Sequence, residues 1–443
     1  MRPRGIRTRR AYDRPVSSLG ALPSARSVVR VYLVLLLGNT LAASLIWGIN
    51  TIFLLDAGLT NFEAFSANAF FTLGMVLFEV PTGVVADTVG RRRSYLLGSL
   101  TLSAATLLYV LLWWQHASFW WWAVSSVALG LGFTFFSGAV DAWLVDALVA
   151  TGREGDLQPV FGRAQVVTGV ATLVGSAGGG LLARLTNLGV PFVLRAGILL
   201  VMFVAAHRLM HDVGFTPRPA GRPLAEAGRV LRESLDSGWR RPAVRWLMIA
   251  GFFSGGVGIY VFYALQPYVL QLYGNARAYQ VAGLVAAAVA CAQVVGGFAA
   301  PLVRRLLPRR TTVLIAAGTL SCGVLVLMGV VHTFGTALAL IVVWALLGAA
   351  VTPVRQTYLN GLIPAPQRAT VLSFDSLVSS AGGVVTQPAL GRAADVWGYG
   401  PSLVIGAAVS LVSVPALTMS RREHPTADDA TTDMRRSPER PPS

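Results

Sequence analysis

The sequence contains no lysine, little charge of either sign and only two cysteines. Charged residues make up 13% of the 443 residues, whereas soluble globular proteins carry roughly a quarter. Cys291 and Cys322 lie in apolar runs and have neither the spacing of metal ligands nor that of a disulfide framework, so we expect no metal and no cofactor. A phosphate-binding glycine loop with lysine and a nucleophile–base pair are also missing, which argues against an enzyme.

Long apolar runs dominate the sequence instead, and 54% of its residues are hydrophobic. About 20 apolar residues in a helix cross a membrane, and only helices or closed barrels pair all their backbone groups there. The runs lack the alternation of barrel strands. They predict an all-α polytopic membrane protein with twelve transmembrane helices in two pseudo-symmetric six-helix halves. The predicted spans are 31–55, 64–86, 94–114, 119–148, 160–183, 189–208, 244–272, 279–302, 311–331, 335–361, 368–391 and 398–419.

The 36 basic residues, all arginine, give a net charge of +16 and lie mainly on one side of the predicted membrane. That distribution favours a membrane protein over a nucleic-acid-binding one. Only Arg184, Arg195, Arg277 and Arg392 are predicted on the other side. The positive-inside rule therefore predicts that both termini are cytoplasmic, in a bacterial inner (plasma) membrane.

The long loop after the sixth span divides the chain. It contains a predicted amphipathic helix from Pro223 to Asp236, which suits either the anionic inner leaflet or a solvated linker. The predicted parts are an Arg-rich cytoplasmic tail (1–30), a six-helix half (31–208), a cytoplasmic linker (209–243), a second six-helix half (244–419) and a disordered cytoplasmic tail (420–443).

The two halves repeat each other in sequence. Arg163-Ala-Gln-Val-Val-Thr opens the fifth span and Arg368-Ala-Thr-Val-Leu-Ser opens the eleventh. Each is followed by Ser-Ala-Gly-Gly, at 176–179 and at 380–383. Parallel repeats of six helices are typical of alternating-access transporters.

The loop between spans two and three reads Gly83-Val-Val-Ala-Asp87-Thr-Val-Gly90-Arg91-Arg92. This resembles the loop signature of the major facilitator superfamily, and the twelve-helix layout extends the resemblance over most of the chain. The resemblance implies that the acid and the arginines lock the cytoplasmic ends of the halves together in one state. Asp146 is expected to pair with Arg91 or Arg163. The expected latch residues are Gly83, Asp87, Gly90, Arg91, Arg92, Asp146, Arg163 and Arg368.

Three acids lie well inside predicted spans, Glu79, Asp141 and Asp375, whereas Asp146 lies at the end of the fourth span. A carboxylate at that depth costs several kcal/mol unless it is paired, hydrated or protonated. These acids are therefore candidates for proton coupling, and Glu79 and Asp375 are expected to share a proton or to contact Arg355. A static ion-pair network with Arg355 remains the alternative.

Two further patterns bear on the substrate. Gly175-Ser-Ala-Gly-Gly-Gly180 partly resembles the Gly-Pro-x-x-Gly-Gly signature of drug exporters, although close helix packing explains it equally well. The resemblance also implies that spans one, four, seven and ten line a central cavity, whose aromatic and amide side chains suit an apolar, aromatic or cationic molecule. The cavity candidates are Asn39, Trp47, Asn50, Phe135, Phe136, Tyr260, Tyr263, Gln266, Trp344 and Arg355.

Together these features predict a secondary active transporter that exports a lipophilic small molecule in exchange for protons, most like the drug:proton antiporter (multidrug efflux) branch. Metabolite uptake or symport by the same fold stays open, and so does a non-transporting membrane sensor or scaffold. The expected partners are a small-molecule substrate, protons and membrane lipids, with no nucleic acid, and the chain is expected to be a monomer.

Overall fold

The computed structural model describes residues 24–152, 156–217, 228, 232, 238–364 and 367–423. The predicted linker helix and both predicted tails fall largely outside these ranges. Within them the chain forms fifteen α-helices and no strand. The helices are α1 Ala25–Ser44, α2 Asn50–Asp56, α3 Asn61–Val89, α4 Arg91–Trp114, α5 Phe119–Thr134, α6 Ala139–Ala150, α7 Gln158–Leu185, α8 Gly189–Leu209, α9 Pro242–Tyr273, α10 Tyr279–Leu306, α11 Arg310–Val330, α12 Phe334–Leu362, α13 Arg368–Trp397, α14 Tyr399–Leu411 and α15 Ser413–Glu423.

These helices make twelve passes, which confirms the all-α prediction. Eleven passes in the described ranges contain helices long and apolar enough to span a membrane. The remaining pass, the eleventh in chain order, is α13, and it is less apolar because it carries Asp375, Arg392 and Asp395. Its 30 residues extend about 45 Å at ~1.5 Å per residue, and it packs between α3 and α9.

Two passes are broken in ways that the apolar pattern does not indicate. The first runs from α1 through a turn into α2, and it begins at Ala25 because Ser24 caps the helix there. The fourth breaks between α5 and α6 at Gly138, whose φ of +67° is left-handed and therefore suits glycine. This break places Asp141 in the first turn of α6, where the helix dipole favours a carboxylate.

Helices α1–α8 form the first half and α9–α15 the second. We call the side where α1 begins and α15 ends the terminal face, and the other side the opposite face. The helix pairs that join the halves are α3 with α13, α7 with α10 and α2 with α9.

The hydrophobic cores show where the halves meet. The largest core combines both halves, with Phe53 and Phe65 from the first and Tyr260 and Val261 from the second. Two smaller cores are each confined to one half, one around Tyr95 and the other around Leu247. The shared core includes the α2–α3 connection, so the halves are packed together toward the opposite face.

Candidate functional site

Hydrogen bonds across the halves close the opposite face. The Asp395 carboxylate, at the end of α13, accepts the backbone N–H groups of Asn61 at 2.9 Å and Phe62 at 2.8 Å. These two donors open α3, so a carboxylate from the second half caps a helix of the first half. The Tyr399 hydroxyl also donates to the Asn61 side chain.

Gln266 makes a second link between the halves. Its side chain accepts the Thr51 N–H at 2.7 Å and donates to the Trp47 carbonyl at 2.7 Å. Tyr260 is fully buried and bonds to Ser402 at 2.6 Å. The predicted cavity residues Tyr260 and Gln266 therefore lie in the packed interface between the halves, not on an open surface. Trp47, at 39% exposure, remains accessible.

The glycine stretch of the fifth pass is a packing surface. A Cβ at Gly180 would lie 2.6 Å from the carbonyl oxygen of Tyr279 and 2.9 Å from Cα of Gly283, both on α10 of the second half. A Cβ at Gly179 would overlap the carbonyl oxygen of Leu45. Gly178, which precedes these two glycines on the same helix, has no atom within 4 Å of the same position. These contacts favour the helix-packing interpretation of the glycine pattern.

The second half contains a partly open cavity of about 800 Å³, lined by α9 and by α11 to α15. Arg355 and Asp375 lie in its wall, with Nη1–Oδ2 and Nη2–Oδ1 distances of 2.5 and 2.7 Å. The Asp375 side chain is only 8% exposed. Arg355 binds both carboxylate oxygens of Asp375. The sequence predicts that this acid either shares a proton with Glu79 or contacts Arg355, and the structure shows the contact with Arg355.

Small polar side chains also line this cavity, beside Trp344 from the predicted set. Sequence reasoning missed them because serine, threonine and amide residues are too common in membrane helices to single out a site. They are Ser254, Ser321, Thr352, Gln356, Asn360, Ser376, Ser379, Ser410 and Ser413.

The other two predicted acids lie in the first half and are bound by hydroxyl groups. The Tyr32 hydroxyl donates to Asp141 at 2.8 Å, and the Ser137 hydroxyl donates to Glu79 at 2.8 Å. Counted along their helices at ~1.5 Å per residue, Glu79, Asp141 and Asp375 lie about 11–15 Å from the terminal face. The three acids therefore occupy a common depth in the fold.

Four further cavity candidates make contacts within the first half. Asn39 accepts the Tyr95 hydroxyl at 3.0 Å, and Phe136 packs edge-on against the Tyr95 ring at 4.9 Å. Asn50 donates to Asn68 at 2.9 Å. The carbonyl of Phe135 accepts the Ser94 hydroxyl at 2.8 Å. The tenth candidate, Tyr263, lies on α9 and packs against the core that the two halves share.

The loop between α3 and α4, which carries the signature residues, folds against its own half. Arg91 lies 2.5 Å from Asp87 and 3.8 Å from Asp146, so Arg91 is the partner of Asp146. Gly90 has a φ of +118°, and a Cβ there would lie 2.5 Å from Oδ2 of Asp212. Asp212 also accepts the backbone N–H of Arg92 at 2.9 Å. Sequence reasoning missed Asp212, because nothing in its spacing links it to this loop.

The other expected latch residues are separate from this cluster. Arg163 lies beside Arg26 and Arg30 in a surface groove of about 260 Å³. Arg368 donates to the carbonyl of Ile363 at 3.4 Å. A Cβ at Gly83 would have open space around it.

Comparisons with known proteins agree with this architecture. A family model described as the Major Facilitator Superfamily matches residues 32–348 and 278–441. The chain belongs to this superfamily. It is therefore an integral, multi-pass membrane transporter rather than an enzyme. A comparison with curated proteins finds no match.

Several solved structures share the superfamily fold at low sequence identity. The nucleoside transporter NupG superposes with a TM-score of 0.72 at 10% identity, covering 89% of this chain and 98% of its own. A bacterial homolog of the human lysosomal transporter Spinster, inward-facing and unoccupied, gives 0.70 at 15% identity, with 92% and 99% covered. The POT family transporter PepTSo gives 0.68 at 12% identity, with 92% and 99% covered. At these identities the likeness shows the fold alone.

The Asp395 cap yields a testable prediction. Asp395→Asn keeps the shape of the side chain but removes its charge and one of the two acceptors that face α3. We expect the opposite face to open more often, because the cap is a main polar link there. Thr51 is fully buried in the closed structure, so Thr51→Cys in a Cys291→Ser/Cys322→Ser background reports opening through faster reaction with a membrane-impermeant maleimide.

The matched control is Asp156→Asn. Asp156 caps α7 by accepting the Gln158 N–H at 2.8 Å, within the first half at the terminal face. This control should leave the labelling rate unchanged. An unchanged rate in Asp395→Asn as well would show that the cap does not hold the halves together.

Proposed function

We propose that the protein exports a lipophilic small molecule in exchange for protons by alternating access. The observation that carries this proposal is the buried Arg355–Asp375 pair in the wall of a cavity of about 800 Å³. When a buried carboxylate takes up a proton it loses its charge, and its ion pair with the arginine can break. Breaking this pair in the cavity wall links protonation to the shape of the cavity.

The two faces differ in a way that suits one state of such a cycle. In this proposal the terminal face is cytoplasmic, as the arginine distribution predicts. The opposite face is closed by the Asp395 cap and the Gln266 link, and the halves share their core there. In the other state the loop cluster of Asp87, Arg91 and Asp146 becomes the latch, with Arg163 and Arg368 joining from the ends of α7 and α13.

The cavity wall supports a largely apolar substrate. Leu314, Leu325, Leu347 and Trp344 line it together with small hydroxyl groups. Ligand sites of this size are typically apolar, with a few polar groups that fix orientation. We further propose that the chain acts as a monomer in a bacterial plasma membrane. Its proposed parts are a cytoplasmic tail (1–30), a six-helix half (31–208), a cytoplasmic linker (209–243), a second six-helix half (244–419) and a second cytoplasmic tail (420–443).

Uptake of a metabolite is the second candidate function. It is supported by the neighbours of the fold, whose names describe a nucleoside transporter and a POT family transporter. The buried charge pair and the closed opposite face serve import as well as export. Direction must therefore be measured.

The first experiment compares two dyes that share a xanthene ring system, cationic rhodamine 123 and anionic fluorescein. Cells that express the protein should accumulate less of at least one dye than cells with Asp375→Asn. A protonophore should abolish this difference. Glu79→Gln and Asp141→Asn test the other two acids, and Asp156→Asn is the control for the loss of a surface carboxylate.

Three outcomes separate the alternatives. Reduced accumulation that depends on the proton gradient supports export. Increased accumulation contradicts export and favours uptake. Equal accumulation of both dyes in every variant and condition argues against broad export. Proton flux is then measured in proteoliposomes loaded with a pH-sensitive dye. A flux indicates a transporter, and no flux indicates a scaffold.

A further inference from the structure

Arg195 is a buried arginine that the apolar pattern of α8 does not explain. It is 8% exposed, and its Nε is sealed from solvent without a hydrogen-bond partner in the described part of the chain. No carboxylate pairs with it among those residues, in contrast to Arg355. An unpaired charge inside a membrane protein is costly and usually marks a substrate or ion pathway.

One tyrosine from each half, Tyr109 and Tyr263, lies within electrostatic range of Arg195. The Tyr109 hydroxyl is already paired with Ser126 at 2.5 Å. Tyr263 comes from α9, and its hydroxyl makes no hydrogen bond within the described ranges. Arg195 and Tyr263 therefore present free polar groups where the first half meets the second.

Further unpaired donors lie at the same depth. The Thr106 hydroxyl and the Asn68 side-chain NH₂ are buried without a hydrogen-bond partner in the described chain. Counted from the helix ends at ~1.5 Å per residue, Arg195, Asn68 and Thr106 lie about 9–12 Å below the opposite face. Arginine donates only, and the hydroxyl and the amide can also donate. This layer thus has a surplus of donors, which an anionic group would satisfy.

We propose that Arg195 binds an anionic group of the transported molecule, so that the substrate is an amphipathic organic anion such as a carboxylate. This inference rests on the proposed transport function. A carboxylate accepts paired N–H donors from a guanidinium in a fork, and charge-assisted hydrogen bonds of this kind are the strong ones. Tyr263 adds a hydroxyl donor from the second half. An anion between Arg195 and Tyr263 therefore bridges the halves, and its binding favours the state in which the opposite face is closed.

The test measures binding to the purified protein. The probes are benzoate, 2-naphthoate and decanoate, each compared with its uncharged amide. A thiol-reactive fluorophore follows thermal unfolding through the buried Cys322, and ligands that bind the folded protein raise the midpoint. At least one carboxylate should raise the midpoint more than its amide does. Arg195→Gln should raise the half-saturating concentration about tenfold or more, since a charge-assisted hydrogen bond is lost.

Two variants complete the design. Arg184→Gln removes an exposed arginine at the end of α7 and should bind the carboxylate like the wild type. Arg195→Lys keeps the charge and should retain part of the carboxylate effect, which provides a folded variant if Arg195→Gln is unstable. The comparison of carboxylate with amide in the wild type needs no variant.

The proposal is overturned if carboxylates and amides shift the midpoint equally, or if Arg195→Gln leaves carboxylate binding unchanged. Failure of the transport proposal is a separate result. A protein that binds 2-naphthoate through Arg195 but shows no proton-dependent flux would retain the anion site and lose the transport function. A protein that transports rhodamine 123 but binds acids and amides equally would retain the transport function and lose the anion site.

Discussion

Gly180→Val should strongly reduce the transport rate while the protein still folds and inserts. The added side chain begins with a Cβ that lies 2.6 Å from the Tyr279 carbonyl and 2.9 Å from Cα of Gly283. Both contacts are with backbone, which cannot move aside as a flexible side chain can. Because α7 and α10 belong to different halves, the clash separates the halves instead of disrupting either one. We expect the transport rate to fall roughly tenfold or more, as the closed state becomes rarely populated.

Gly178→Val is the matched control, since it makes the same substitution two residues away on the same helix. No atom lies within 4 Å of its added Cβ, so transport should stay near the wild-type rate. The maleimide reaction of Thr51→Cys should be faster in Gly180→Val and unchanged in Gly178→Val. If Gly180→Val transports normally, then α7 and α10 need not meet this closely during the cycle.

Asp375→Asn should abolish proton-coupled transport and also destabilise the protein. The asparagine cannot balance the charge of Arg355, and its neutral amide does not take up and release a proton. Removing one partner of a buried ion pair typically costs about 3–5 kcal/mol, and the lower end of this range applies because the Arg355 side chain is 25% exposed. Unfolding in detergent measures stability, and a pH-sensitive dye in proteoliposomes measures proton flux.

The double variant Arg355→Gln/Asp375→Asn separates stability from coupling. It removes both charges, so stability should recover much of what the single variant lost. Proton-coupled transport should stay absent, because the titratable carboxylate is gone. If the double variant transports as well as the wild type, the pair is a static structural element and proton coupling must be sought at Glu79 or Asp141.

The candidate site was partly predictable from sequence. Asp375 and Arg355 were identified because charged residues stand out inside apolar runs, and the structure brings them together. Asp212 and Asp395 were missed, because each binds backbone groups of a loop or helix end that is distant in sequence. Because Arg195 lies near the end of a predicted span, the sequence predicts it on the outer side of the membrane. Its burial depends on the neighbouring helices, which the pattern of one helix does not specify.

The helical passes, the side on which arginines concentrate and the superfamily signature can all be read from the amino-acid sequence. Each of these depends on local composition or short spacing, and the need to pair every backbone group in lipid leaves helices as the solution for long apolar runs. Only the packing of the helices brings the halves together toward the opposite face, puts Gly180 rather than Gly178 in the contact between them, and leaves Arg195 without a carboxylate among the described residues. These features arise from contacts between residues far apart in the chain, so they are fixed only when the helices pack together.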